Sequence, residues 1–240
     1  MDAKAPSPRF ATVRVPAFTV VPGLVHGFER RIPSAPAESR EVARQRVATV
    51  LREQGRLLSL QQVHGVAVAE APFEGTPVAD AAVATAPGLI LGIETADCLP
   101  VLLVDPVLRL VAAAHAGWRG TAAGVAGHAV TALVAHGSRP QDLLAALGPG
   151  IGPCCYQVGD ELREAFGPEG ARFFRPGRGT KPHLDVRAAN RAALERAGIP
   201  RERIHSVDEC TSCRGDLYYS YRRDGANAGR MISFVGFAAA

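Results

Sequence analysis

The sequence predicts a mixed α/β fold in one domain, and three observations carry that prediction. Short, almost wholly apolar runs crowd the middle of the chain, as strands covered on both faces would. Segments with helical periodicity flank those runs. No linker divides the 240 residues into two cores, and one domain of that length buries a sizeable interior.

The elements follow in order. Residues 1–22 are Pro-rich and read as an N-terminal arm, loose at first, with an edge strand at 10–15; residues 23–240 read as the single domain proper. Ser39 is placed to cap a helix over 40–54, where Ala43, Val47, Val50 and Leu51 form one apolar stripe and Gly55 ends it. Arg and Glu on the other face read as solvating charges. Strand-like runs follow at 57–63, 66–71, 89–93, 101–104 and 108–114. Residues 119–136 read as one helix containing Gly120, Gly124 and Gly127. Each glycine costs roughly 1 kcal/mol against alanine, so the row predicts a helix pressed against sheet backbone. A strand at 143–147 feeds a Gly-rich turn, helices follow at 160–166 and 185–197, and strands at 204–207 and 231–237.

Composition narrows the partners. The net charge of +4 arises from 25 Arg and 2 Lys against 23 acids, with the arginines scattered. Aromatic residues make up 6%, so neither a basic stripe nor stacking platforms for nucleic acid are present. No run reaches the ~18 apolar residues of a membrane span. The first residues lack a basic segment followed by an apolar one, and a cytoplasmic location is the expectation. Five cysteines without a secretory signal argue against a disulfide framework. Cys210-x-x-Cys213 has no second Cys-x-x-Cys to complete a zinc knuckle and reads as chemically silent. Adjacent Cys154 and Cys155 read as small buried side chains, unable to chelate one tetrahedral ion together.

Three residues carry chemistry. His64, Cys98 and His115 each sit where an apolar run meets a turn containing Gly or Pro, the junction at which a rigid scaffold presents a polar side chain to a cleft. Two imidazoles and a thiolate suit zinc, and three protein ligands leave a fourth position for water or substrate. The polar stretch Thr95-Ala96-Asp97-Cys98 interrupts an otherwise apolar region, which packing alone does not require. Asp97 is expected either to orient a ligand imidazole or to cap the turn. Arg119, at the start of the helix after His115, reads either as part of an anion site or as a surface residue pairing with a carboxylate. Trp118 reads as core packing. The other histidines (26, 128, 136, 183 and 205) stand without such company.

An ordered set of motifs extends this pattern. It runs through Gln62-Val63-His64-Gly65, Asp80-Ala81-Ala82-Val83-Ala84-Thr85, Thr95-Ala96-Asp97-Cys98-Leu99-Pro100 and His115-Ala116-Gly117-Trp118-Arg119-Gly120. It continues through Gly148-Pro149-Gly150-Ile151-Gly152-Pro153-Cys154-Cys155-Tyr156, Cys210-Thr211 and Tyr219-Ser220-Tyr221-Arg222-Arg223-Asp224-Gly225. Over roughly residues 23–237 the chain resembles the YfiH / laccase-domain family, once called multicopper polyphenol oxidases and later recognised as purine nucleoside phosphorylases. One departure stands out: His26-Gly27-Phe28 is followed by a short segment where the family has a longer Gly/Ser-rich stretch, so no substrate contact is carried over there.

The resemblance implies a β-sandwich of mixed sheets flanked by helices. It places the metal triad on His64, Cys98 and His115 and favours Arg119 as a substrate or phosphate contact, with Asp80 a further candidate beside a matching motif; Asp97, next to Cys98, is the remaining candidate contact. It further implies a zinc-dependent phosphorylase of adenosine, inosine and methylthioadenosine that also deaminates adenosine, with nucleosides and phosphate as its small-molecule partners. Zn2+ is the expected cofactor, and Cu2+ also suits such ligands. Three rivals compete: a copper-dependent polyphenol oxidase, a metal-free Cys98–His115 hydrolase or deamidase, and a binding module with a structural metal. The sequence specifies no oligomeric state.

Overall fold

The apolar strands form two sheets that stack face to face, in a computed structural model that describes residues 11–32, 37–177, 179 and 181–239. The chain begins with β1 (Thr12–Val13), α1 (Pro16–Thr19), β2 (Leu24–Glu29), α2 (Arg40–Leu51), β3 (Arg56–Ser59), β4 (Val68–Ala71) and β5 (Ala81–Ala84). Then come β6 (Leu89–Thr95), β7 (Leu99–Asp105), β8 (Leu110–Ala116), α3 (Trp118–Ala122), α4 (Val125–Ala135) and β9 (Leu144–Leu147). The last third holds α5 (Glu161–Gly170), β10 (Phe174–Arg175), β11 (His183–Leu184), α6 (Val186–Arg196), β12 (Ile204–Ser206), α7 (Tyr221–Asp224) and β13 (Met231–Phe237).

One sheet is ordered β1-β2-β13-β6-β3 and the other β12-β9-β7-β8-β5-β4; both mix parallel and antiparallel pairs. Alternation along each strand assigns every second side chain to one layer. Leu102 and Val104 of β7 meet Leu91 and Ile93 of β6 between the sheets, while Val101 and Leu103 turn outward onto α4 and α6. On the opposite outer face Ile90, Ile232 and Phe234 receive Ala43, Val47 and Leu51 of α2. The layers are therefore helix, sheet, sheet, helices. Both faces of the central strands are covered, which is why their sequences are apolar without alternation.

Several expectations change on folding. The edge strand expected near the N-terminus does form, β1 pairing with β2 at the sheet margin, but the residues after it are packed in, with Val15, Phe18 and Val21 buried between the sheets. Residues 1–10 lie outside the described residues. The expected helix at 119–136 breaks at Gly124, whose φ of 84° is left-handed. Gly120 alone of its three glycines approaches backbone closely, at 3.0 Å from the Gly65 carbonyl for an added Cβ; Gly124 and Gly127 face open space. The charges on α2 do more than solvate it. Arg44 pairs with Glu94 and Arg46 with Glu29, both carboxylates being buried. Ser39 caps α2 as expected, accepting from the Val42 amide. No helix among the described residues is long and apolar enough to cross a membrane.

Candidate metal centre

Strand register assembles the site at one end of the sandwich. β7 and β8 pair with Pro100 opposite His115, which sets the turn bearing Cys98 beside the end of β8. That turn is also where the chain steps from the first sheet (β6) to the second (β7). β5 pairs with β8 with Ala81 opposite Ala114, so Asp80 lies beside His115, whose amide donates to the Asp80 carbonyl at 2.7 Å. His64 comes from the loop after β3.

Asp80 organises both imidazoles. Its carboxylate is fully buried and accepts from the amides of Val63 (3.1 Å), His64 (2.9 Å) and Gly65 (2.7 Å). These bonds hold His64 at a φ of 64°, a conformation few non-glycine residues adopt. The same carboxylate bonds His115 Nδ1 at 2.8 Å. An Nδ1–H donated to Asp80 leaves the Nε2 lone pair to face the site, the arrangement by which carboxylates orient metal-binding histidines.

The ligand atoms of His64, Cys98 and His115 all lie within 4.8 Å of one another. Cys98 Sγ is 3.9 Å from His64 Nε2, and the two imidazole rings meet edge to face at 4.8 Å. Tetrahedral bonds of the usual zinc lengths separate ligand atoms by roughly 3.3–3.8 Å, so the set closes on an ion with small movements. Burial pushes the Cys98 thiol up, but hydrogen bonds from His115 and His64 more than reverse this and hold it at about 6. Burial works against protonation of His115, yet Asp80 and Cys98 hold it at about 9. A cation entering here takes the place of the proton on His115 and meets a thiolate already formed. Gly117 leaves the room: an added Cβ would lie 2.7 Å from His64 Cδ2 and 3.1 Å from Cys98 Sγ.

The three ligands open on a cleft of about 430 Å3, within the usual size of small-molecule sites. Gln62, Trp118, Tyr156, Tyr221, Arg40, Arg222 and Arg230 also line it. Trp118 serves twice, since it also packs against the main core.

The remaining sequence expectations fall differently. Asp80 is no substrate contact, because it is buried beneath the ligands rather than exposed in the cleft. Asp97 lines the cleft, but its oxygens accept from Thr211 Oγ1 and the Arg222 amide, both at 2.6 Å. It therefore fixes the loop before α7, and Asp80 takes the imidazole role. Arg119 is exposed, its guanidinium 4.4 Å over the Trp118 ring, and it is not among the cleft-lining residues. Its helix has only five residues, too short for the anion site expected of it.

Sequence reasoning passed over Arg40, Glu94 and Arg230. Two signals were available. Arg40 occupies the first turn of α2, where the helix dipole disfavours a cation. Glu94 sits in the apolar run of β6, buried, and Gln62 pairs with its backbone through two 2.8 Å bonds.

Comparison with known proteins agrees with this architecture. Residues 35–238 match the family described as multi-copper polyphenol oxidoreductase laccase. The chain is 43% identical over 154 residues to the purine nucleoside phosphorylase YlmD of Geobacillus stearothermophilus, covering 62% of this chain and 56% of that protein. It is 40% identical over 173 residues to adenosine deaminase RL5 from an unknown prokaryotic organism, covering 69% of this chain and 64% of that one. The matched region thus spans less than two thirds of either relative. The crystal structure of YlmD from Geobacillus stearothermophilus superposes with a TM-score of 0.84 at 31% identity, covering 99% of this chain and 98% of that one. A match over most of the chain, on this fold, makes it a member of the multi-copper polyphenol oxidoreductase laccase family.

Proposed function

We propose that this chain is a zinc-dependent purine nucleoside phosphorylase, acting on adenosine, inosine and methylthioadenosine, that also deaminates adenosine. The observation that carries the proposal is the His64, Cys98 and His115 set, ordered by Asp80, on a cleft that also holds arginines and aromatic rings. Relatives named purine nucleoside phosphorylase and adenosine deaminase support it. A zinc ion at these ligands supplies a Lewis acid.

The chain's own residues do the rest. Arg40 and Arg230 seat the phosphate. Burial first, and the charge of Arg40 second, hold the Arg230 pKa down, and the charge of a bound anion would offset both. Trp118, Tyr156 and Tyr221 offer faces to the purine. Tyr156, pushed up to about 12 by burial first and the charge of Cys98 second, stays protonated and donates a hydrogen bond. In phosphorolysis a phosphate oxygen attacks ribose C1′, the bond to the purine nitrogen breaks, and the base leaves with a proton. In deamination water adds at C6 and ammonia departs.

The test is incubation of zinc-loaded protein with inosine or adenosine and phosphate, read as free base and ribose-1-phosphate. Phenol oxidation that appears only with copper, with nucleosides untouched, would favour the oxidase. Against that rival, Met231 is buried with Tyr218 and Tyr219 rather than placed in the cleft as an axial copper ligand. A thiol hydrolase is the second reading, favoured by the aligned Cys98, His115 and Asp80. It has no use for His64, so an amidase activity that survives His64→Ala would establish it.

A further inference from the structure

Two pairs of cysteines far apart in the chain converge beside the cleft. Cys154 and Cys155 lie in a turn after β9, and Cys210 and Cys213 in the loop after β12. Their four sulfurs all lie within 4.8 Å of one another, and all four are free thiols. Cys213 Sγ stands 3.5 Å from Cys154 Sγ and 3.3 Å from Cys155 Sγ. As neighbours in sequence, Cys154 and Cys155 read as small buried side chains unable to chelate one ion together, yet Cys154 is exposed and Cys155 half-buried. Residues 153–155 form a turn, and both thiols aim at Cys213. Cys210-x-x-Cys213 finds its missing partner in a Cys-Cys pair rather than a second Cys-x-x-Cys.

We propose that Cys154, Cys155, Cys210 and Cys213 hold a structural zinc ion as a tetrathiolate, separate from the centre at His64, Cys98 and His115. Zn–S bonds near 2.3 Å place tetrahedral sulfurs roughly 3.8 Å apart; two of the observed separations are slightly shorter, at 3.3 and 3.5 Å, and all four sulfurs lie within 4.8 Å, so small movements reach that spacing. Four thiolates close the coordination sphere and leave no position for substrate, as structural sites require. The Gly152 amide already donates to Cys210 Sγ at 3.2 Å, the bond a metal-held thiolate accepts. Arg222 and Arg223 reach the carbonyls of Cys155 and Ser212, bringing positive charge to an anionic centre.

The ion would clip together two loops that build the cleft wall. One loop carries Ile151 and Tyr156 into the cleft, and the other sends Thr211 to Asp97. A backbone bridge between Gly150 and Cys210 already joins them.

The test needs no activity. Full-length protein, purified under reducing conditions, loaded with zinc and desalted, is analysed for metal alongside His64→Ala/Cys98→Ala and Cys210→Ser/Cys213→Ser. The expectation is two zinc ions per wild-type chain and one in each double variant. Should the serine variant be insoluble, cobalt loading of His64→Ala/Cys98→Ala decides alone, by the intense visible bands of a tetrahedral tetrathiolate centre. If that variant keeps no metal and shows no such bands, or if Cys213 is found in a disulfide with Cys154 or Cys155 in protein prepared without air, the proposal is overturned.

Discussion

Replacing Asp80 with asparagine keeps the size of the side chain and removes the charge that orders the candidate metal site. One carboxylate oxygen faces the His64 amide and His115 Nδ1, and the other faces the amides of Val63 and Gly65. Asparagine presents one oxygen and one amide group, so in either orientation one pair of donors confronts another donor. Hydrogen bonds to charged acceptors contribute roughly 1.5–3 kcal/mol each, and stranding buried partners costs about as much. Two such losses predict that Asp80→Asn destabilises the metal-free fold by roughly 3–5 kcal/mol, the range for removing one member of a buried pair. The altered partner of His115 should weaken zinc binding about 10- to 100-fold. Urea unfolding of the metal-free protein measures the first effect, and competition with a chromophoric chelator the second. Zinc affinity within threefold of wild type in a folded Asp80→Asn protein would refute the positioning role of Asp80.

Gly117→Ala should weaken zinc without touching a ligand, because the backbone there (φ −67°) accepts alanine while the new Cβ meets His64 and Cys98. Chelator competition should show a loss on the order of tenfold or more, since sites tolerate displacements of only about 0.5 Å. His26 predicts an acid-side loss of stability. It is buried, accepts from the Val15 amide at 3.2 Å, and burial first and Arg14 second hold its pKa near 4 against an ordinary 6.5. The unfolded chain takes up that proton first, so this contribution is complete above pH 6.5 and is lost as pH falls toward 4. Between pH 7 and 4.5 unfolding free energy should drop by about 2–3 kcal/mol from His26, a slope that His26→Gln should remove. For phosphate, Arg230→Gln should raise KM roughly tenfold or more through loss of a charged hydrogen bond. Arg119→Ala should leave it unchanged, and the reverse result would return the anion site to Arg119.

The three candidate metal ligands stood out in the sequence because each marks a polar break at the end of an apolar run, and the fold brings them together. Their partner was harder to see. Asp80 meets His115 through the pairing of β5 with β8, and β5 is four residues long with three alanines, a weak strand signal. Asp97, the acid nearest Cys98 in sequence, was the natural candidate, and its left-handed backbone turns it instead toward Thr211 and α7. The helix over 119–136 read as continuous because its apolar period does not reveal that Gly124 adopts a left-handed φ. Arg44 and Arg46 looked like solvent-facing charges because Glu94 and Glu29 reach them only when the first sheet forms under α2. Cys155 and Cys213 are 58 residues apart, and the bridge between Gly150 and Cys210, with the Gly152 amide on Cys210 Sγ, sets their loops side by side. Apart from the local break at Gly124, what stayed hidden is in each case a contact between distant segments.

The central claim is that His64, Cys98 and His115 hold a metal on which nucleoside chemistry depends. Its most direct test is titration of metal-free protein with zinc while inosine phosphorolysis is followed in the same samples. Activity should be absent at the start, rise in proportion to occupancy of this site, and vanish together with that occupancy in His64→Ala. Full phosphorolysis by metal-free protein, or undiminished phosphorolysis in His64→Ala, would contradict the account.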